Sequence, residues 1–145
     1  MEAYFDNSAT TIVTDSVKDI VVKTMTEDFG NPSAMHMVGV KAEKYIKEAQ
    51  ENIAKILKVD PKEIFFTSGG TESNNMAIIG TAMANKRKGN KIITTSVEHS
   101  SVLATMKYLE EQGFEVIYLP VDRYGVVQME ALEKEMTEDT ILVST

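Results

Sequence analysis

Apolar and polar residues alternate along the chain with two different periods, which predicts helices separated by strands. Between residues 34 and 58 the apolar positions recur every three or four residues, as on one face of an α-helix. Gly-Asn-Pro-Ser precedes this stretch and Asp60-Pro61 follows it, so both of its ends carry turn signals. The same period predicts further helices at residues 16–27, 72–87, 100–112 and 128–136.

Short and nearly continuous apolar runs separate these helices and predict strands. The runs cover residues 64–67, 91–96, 114–119 and 140–144. Runs of this kind are typical of parallel strands that are buried on both faces. Because strands and helices alternate, we predict an α/β fold, with a mostly parallel sheet and helices on both of its faces.

Composition and charge exclude several classes of protein. The 145 residues are 43% hydrophobic and 26% charged, which is typical of a soluble globular chain. The net charge of −7 argues against a nucleic-acid partner, and no apolar run approaches a membrane span of roughly 18 residues. The start of the chain has no secretory leader pattern, and the chain has no cysteine. These features exclude disulfides and thiolate sites and predict a cytoplasmic location.

The first candidate site is the turn Ser68-Gly69-Gly70-Thr71, between the predicted strand 64–67 and the next helix. Glycines let a backbone approach a ligand closely, and a helix N-terminus with its free N–H groups attracts phosphate. Thr71 adds a hydroxyl. The alternative is an ordinary turn in which Thr71 caps the helix. The segment matches neither the P-loop nor the dinucleotide-binding pattern, so a phosphate here would belong to another small cofactor.

His99 is the second candidate, since it follows the predicted strand 91–96. It should lie on the same rim of the sheet as Gly70 and Thr71. There an imidazole can stack on a ring or transfer a proton. We predict no metal site, because His36 is the only other histidine and no carboxylate cluster accompanies them. The alternative is a histidine that only makes local hydrogen bonds at a helix N-terminus, but together with the glycine turn a cofactor site is favoured.

The chain ends on the apolar strand predicted at residues 140–144. In open α/β sheets, ligands bind beyond the carboxyl ends of the strands. Further site residues would normally follow such a strand. We therefore expect the chain to be the front part of a larger protein.

Four segments occur in a characteristic order along the chain. They are residues 4–11, residues 29–33 with His36 and Gly39, residues 67–75, and Glu98-His99. Together they resemble the N-terminal part of a cysteine desulfurase, a pyridoxal-phosphate (PLP) enzyme of the class V aminotransferase group. The resemblance covers essentially the whole chain.

The resemblance implies a fold-type I PLP enzyme and a role for each candidate residue. Residues 1–14 would be an N-terminal arm, and residues 15–145 the first, incomplete part of the PLP-binding large domain. Gly70 and Thr71 would hold the cofactor phosphate. His99 would be the catalytic residue that stacks on the pyridine ring and relays protons. Many relatives have alanine at the position of Gly70, and this difference should not affect donation by its backbone N–H.

The resemblance also implies a reaction and partners. A complete enzyme of this kind converts cysteine to alanine and leaves persulfide sulfur for iron–sulfur cluster assembly or other sulfur transfer. It is normally a homodimer that serves a sulfur-acceptor protein. The family binds PLP through a lysine that follows a histidine, but here Met37 follows His36 and Ser100 follows His99. With no nucleophilic cysteine either, we expect the chain to need the remainder of the enzyme or a second subunit for activity.

Two other functions stay open at this point. One is a different PLP enzyme of the same superfamily, such as a selenocysteine lyase or an aminotransferase. The other is a non-enzymatic α/β module that binds a phosphorylated ligand. The resemblance assigns no catalytic step to Asn7 or His36.

Overall fold

The computed structural model describes residues 3–145, in which the chain forms α-helices and a small sheet. Residues 1 and 2 of the predicted arm lie outside the described residues. The elements are α1 (Asp15–Thr26), α2 (Met37–Leu57), a 3-10 turn (Pro61–Glu63), α3 (Gly70–Asn85), β1 (Lys91–Thr95), α4 (Ser100–Glu111), β2 (Glu115–Leu119), α5 (Met129–Glu135) and β3 (Thr140–Ser144). They form two compact units, one that ends at Phe65 and one that comprises Phe66–Thr145.

The second unit contains a three-stranded parallel sheet with the order β2-β1-β3. The central strand β1 pairs in parallel with both neighbours, and Ile92 lies opposite Val116 on β2 and Leu142 on β3. In β1, residues 92–95 are all buried, as expected for a central strand covered on both sides. The structure therefore confirms the predicted α/β fold with a parallel sheet.

Helices cover both faces of this sheet. Ile92 packs in a core cluster with Ala82 of α3 and with Met106 and Leu109 of α4. Lys91 points to the opposite face, because successive side chains of a strand alternate between faces. Its Nζ lies 3.9 Å from Oε2 of Glu135 on α5. Thus α3 and α4 cover one face, while α5 lies on the other.

The strand predicted at residues 64–67 is absent. A 3-10 turn forms just before it, where the side chain of Asp60 accepts the N–H of Lys62 and the N–H of Asp60 donates to Glu63. Residues 64–67 continue without strand pairing, and Phe65 and Phe66 are exposed. A strand exists only through hydrogen bonds to a neighbour. Within residues 3–145 no strand lies beside this segment, so its apolar character alone was misleading.

Helix α2 of the first unit begins at Met37, three residues later than predicted. The reason is the cap: Nδ1 of His36 accepts a hydrogen bond of 3.2 Å from the N–H of Gly39. A Cβ on Gly39 would lie 2.3 Å from the carbonyl oxygen of Ala34, so only glycine fits there. In this structure His36 has a structural role as the residue that caps α2.

A buried carboxylate joins α2 to the end of α1. Asp28 is only 2% exposed, and its Oδ2 accepts a hydrogen bond of 2.5 Å from the hydroxyl of Tyr45. Lys41 forms an ion pair with Oδ1, and Nζ of Lys23 lies 3.9 Å from Oδ2. Hydrogen bonds from Lys41 and then Tyr45 lower the pKa of Asp28, so the carboxyl is held in its charged form.

Candidate functional site

The glycine turn leaves three backbone donors free at the start of α3. Gly69 is the N-cap residue, and its carbonyl accepts the N–H of Ser73 at 3.1 Å. Within the described part of the chain, the N–H groups of Gly70, Thr71 and Glu72 have no acceptor. These are the donors that a helix cannot satisfy itself, and they lie at the positive end of its dipole. The position therefore suits an anion.

No side chain caps this helix. The N-cap is Gly69 rather than Thr71, so the alternative in which Thr71 serves as an ordinary cap is wrong. Across residues 3–145 the hydroxyl of Thr71 has no hydrogen-bond partner, and the residue is exposed. The hydroxyl of Thr71 is thus available beside the three free N–H groups.

The carboxylate of Glu72 stabilises the glycine turn. Oε2 of Glu72 accepts hydrogen bonds from the N–H of Ser68 at 2.7 Å and from its hydroxyl at 2.6 Å. The hydroxyl of Ser68, followed by its N–H, lowers the pKa of the Glu72 carboxyl. The hydroxyls of Thr67 and Ser73, which stand before and after the glycine turn, lie 2.7 Å apart. The backbone of the turn is therefore preformed.

The two glycines keep the free donors accessible. A Cβ added at Gly69 or Gly70 would meet no atom within 4 Å, so packing does not require glycine at either position. The backbone of Gly69 is extended (φ 164°, ψ 179°), a conformation that other residues also adopt. Neither packing nor backbone conformation thus explains the glycines. Glycine at these positions places no side chain beside the N–H donors, so an anion can approach them.

His99 is the N-cap residue of α4. Its Nδ1 accepts the N–H of Ser101 at 3.2 Å and lies 2.9 Å from the hydroxyl of the same residue. The preceding loop is fixed where the hydroxyl of Thr95 donates to Oε1 of Glu98 at 2.8 Å. The local hydrogen bonds of the alternative interpretation are therefore present. The residue is nevertheless exposed, which leaves its ring accessible.

Polar contacts join the starts of α3 and α4. Nδ2 of Asn74 donates to the hydroxyl of Ser101 across 2.9 Å. One residue further along α3, Asn75 donates to the carbonyl oxygen of Thr71 at 2.7 Å. Because Ser101 also contacts His99, the structure brings the glycine turn and the histidine to adjoining helix ends, at the carboxyl end of β1. The starts of α3 and α4 are thus in contact, but the common rim predicted at the ends of strands 64–67 and 91–96 does not form as predicted, because residues 64–67 are not a strand in the described part of the chain.

The residues that make this connection had no predicted role. They are Asn74, Asn75, Ser101 and Thr105. A signal was available, since two adjacent asparagines in the second turn of a helix are unfavourable unless their side chains find partners. Their partners lie about 30 residues away in sequence, on α4, and the sequence does not show which residues these are.

The described residues contain neither a group of metal ligands nor a membrane-spanning helix. Among residues 3–145, no three His, Asp or Glu side chains are grouped so that they could hold a metal ion. No helix in this part of the chain has the length and apolar character needed to cross a membrane. Asn7 and His36 belong to the first unit, and the glycine turn and His99 to the second.

Comparisons with known proteins identify the family of the chain. The family described as "Aminotransferase class-V" matches residues 3–145. Cysteine desulfurase IscS 1 of Archaeoglobus fulgidus is 49% identical over 141 residues, which are 97% of this chain and 37% of the relative. Cysteine desulfurase IscS of Methanosarcina thermophila is 50% identical, over 97% of this chain and 35% of the relative. The chain thus spans little more than a third of the length of these relatives.

Solved structures give the same result. The chain matches a NifS-like protein with a TM-score of 0.89 and 48% identity, over 99% of this chain and 39% of that one. It matches SspA, solved in complex with cysteine, with a TM-score of 0.85 and 39% identity, over 97% of this chain and 40% of that one. Because the family match covers nearly the whole sequence, the chain belongs to the class V aminotransferase family.

Proposed function

We propose that this chain provides the phosphate-binding part of the PLP site of a cysteine desulfurase. The relatives named above are cysteine desulfurases, and one related structure was solved with cysteine. PLP, when bound, supplies an electron sink that allows bonds of an amino acid to be broken. A selenocysteine lyase or a non-enzymatic module has no comparable support from a particular observation.

The observation that carries the proposal is the set of free donors at the start of α3. The N–H groups of Gly70 and Thr71 and the hydroxyl of Thr71 would bind the phosphate oxygens. A phosphate there also gains from the helix dipole. His99, whose helix is joined to α3 through Asn74 and Ser101, would stack its ring on the pyridine ring and hold a proton at Nε2.

The groups that bind PLP covalently and accept sulfur would lie outside the motifs of this chain. Sulfur transfer from cysteine needs an activated thiolate, and the sequence contains no cysteine. We propose that the remainder of the enzyme or a second subunit supplies this thiolate and the lysine that binds PLP covalently. The parent enzyme would then be a cytoplasmic homodimer that delivers persulfide sulfur to an acceptor protein for iron–sulfur cluster assembly.

Equilibrium dialysis of the chain against PLP tests the phosphate-binding role. We expect Thr71→Val to weaken PLP binding, because a hydrogen bond to a charged group contributes about 1.5–3 kcal/mol, which is roughly a 10- to 150-fold change in Kd. Thr81→Val is the matched control, since it removes a hydroxyl from the other end of α3. Equal PLP affinity in the wild type and Thr71→Val would contradict the proposed role of Thr71.

A further inference from the structure

We propose that Ser101 and Asn74 are positioning residues that fix the tautomer of His99, with its proton on Nε2. This inference rests on the proposed function, because the proton on Nε2 of His99 matters only if the residue faces a bound cofactor. Its structural basis is the hydrogen-bonded series from Asn74 through Ser101 to His99. The proposal can be tested without PLP.

The contacts at Nδ1 determine where the proton lies. The backbone N–H of Ser101 donates to Nδ1 across 3.2 Å, and a nitrogen that accepts a hydrogen bond carries no proton. The hydroxyl of Ser101 lies 2.9 Å from the same nitrogen. If both groups act as donors to Nδ1, the neutral ring must carry its proton on Nε2.

Asn74 determines the direction of the hydroxyl. Its Nδ2 donates to Oγ of Ser101 across 2.9 Å, so this oxygen acts as the acceptor in that bond. The hydroxyl proton is then free to point toward Nδ1 of His99. Ser101 is only 7% exposed, so few water molecules can compete for this hydroxyl. The amide of Asn74 therefore acts on the imidazole through Ser101.

The arrangement has a consequence for the chemistry of His99. In the described residues Nε2 has no hydrogen-bond partner, and the residue is exposed. A proton on Nε2 is thus available to an acceptor atom of a bound ligand. In the Nε2–H tautomer, Nδ1 of His99 stays bound to Ser101 while Nε2 donates to the ligand.

NMR spectroscopy of the ¹⁵N-labelled chain measures the tautomer directly. The spectra correlate the ring protons with both ring nitrogens, at a pH where the imidazole signals no longer titrate. The chain has two histidines, and His36→Asn assigns their signals while keeping a residue that can cap α2. We expect the wild-type His99 to show only the Nε2–H pattern. Ser101→Ala should shift its nitrogen signals toward an average of the two tautomers.

Two further variants distinguish an effect of the Ser101 hydroxyl on His99 from a general effect on folding. Ser101→Thr keeps the hydroxyl and should restore the wild-type pattern, whereas Ser100→Ala removes the adjacent exposed hydroxyl and should leave the pattern unchanged. Backbone amide spectra show whether each variant is folded. An Nδ1–H pattern in the wild type, or an unchanged pattern in folded Ser101→Ala, would overturn the proposal. Because no PLP is present, neither result would bear on the phosphate-binding role.

Discussion

The hydroxyl of Thr105 donates to Oδ1 of Asn75 across 2.9 Å, and this contact joins α4 to the helix that begins at the glycine turn. Thr105 is 2% exposed, and its hydroxyl also lies 2.7 Å from the carbonyl oxygen of Ser101. The other end of the Asn75 amide donates to the carbonyl oxygen of Thr71. The side chain of Asn75 thus links the buried part of α4 to the start of α3.

Replacing this hydroxyl should destabilise the second unit. In Thr105→Val a methyl group takes the place of the hydroxyl, and Oδ1 of Asn75 loses its partner. Loss of a hydrogen bond to a partly buried oxygen costs about 0.5–1.5 kcal/mol. Urea unfolding should show this decrease, and Thr81→Val on α3 should change stability by less. Equal unfolding midpoints for Thr105→Val and the wild type would contradict the assigned contact.

A substitution in the buried core of the second unit should lower the free energy of unfolding by more than Thr105→Val does. Leu109 is fully buried in the cluster that covers β1, so Leu109→Ala should lower the free energy of unfolding by about 2–5 kcal/mol. Leu57→Ala makes the same change at a residue that is 60% exposed, and it should have a much smaller effect. Thermal or urea unfolding followed by circular dichroism measures both. Similar losses in the two variants would show that Leu109 is not a core residue.

The carboxylate of Glu72 should make the stability of the glycine turn depend on pH. Its pKa in the folded chain is lowered by hydrogen bonds from Ser68, so its contribution is present above the unfolded pKa of about 4.3. That contribution is lost as the pH falls through the lower, folded value. Glu72→Gln should therefore be less stable than the wild type at pH 7, and the difference should disappear in acid.

Urea unfolding at several pH values tests this sign. Glu130→Gln, at an exposed position on α5, is the matched control and should differ little from the wild type across the same range. A difference between Glu72→Gln and the wild type that grows in acid would show that the Glu72 carboxylate does not hold the turn.

In the first unit, the buried carboxylate of Asp28 should control local stability. Asp28→Asn removes the charge that pairs with Lys41 and Lys23, and it should speed amide hydrogen exchange in α1 and α2. Asp15→Asn, at an exposed position on α1, should have little effect. Mass spectrometry after peptic digestion locates the change. Unaltered exchange in both helices of Asp28→Asn would contradict the role of this carboxylate.

Most of the second unit could be predicted from the sequence, because its elements depend on local patterns. The strand predicted at residues 91–96 was found at Lys91–Thr95, and the strand predicted at 140–144 was found there. The segment 64–67 shows the limit of such reasoning. Its apolar character is local, but strand formation depends on a partner that the sequence pattern does not reveal.

For the candidate residues, their places in the fold were predictable, while their roles stay predictions. Gly70, Thr71 and His99 lie at the starts of α3 and α4, whose approximate positions the sequence pattern indicates. The contact between Asn74 and Ser101 could not be predicted, since 27 residues separate them and only packing of α3 on α4 brings them to 2.9 Å. The division of the chain after Phe65 was also not evident from composition. The predicted boundary between residues 1–14 and 15–145 stays a prediction.

The most direct test of the central claim is an amide NMR titration of the chain with PLP. We predict saturable shifts of the N–H signals of Gly70, Thr71 and Glu72, together with shifts of the ring signals of His99 but not of His36. Pyridoxal, which lacks the phosphate, should leave the three amide signals unchanged at the same concentrations. Amide shifts confined to other parts of the chain, or equal shifts with pyridoxal, would contradict a phosphate site at the start of α3.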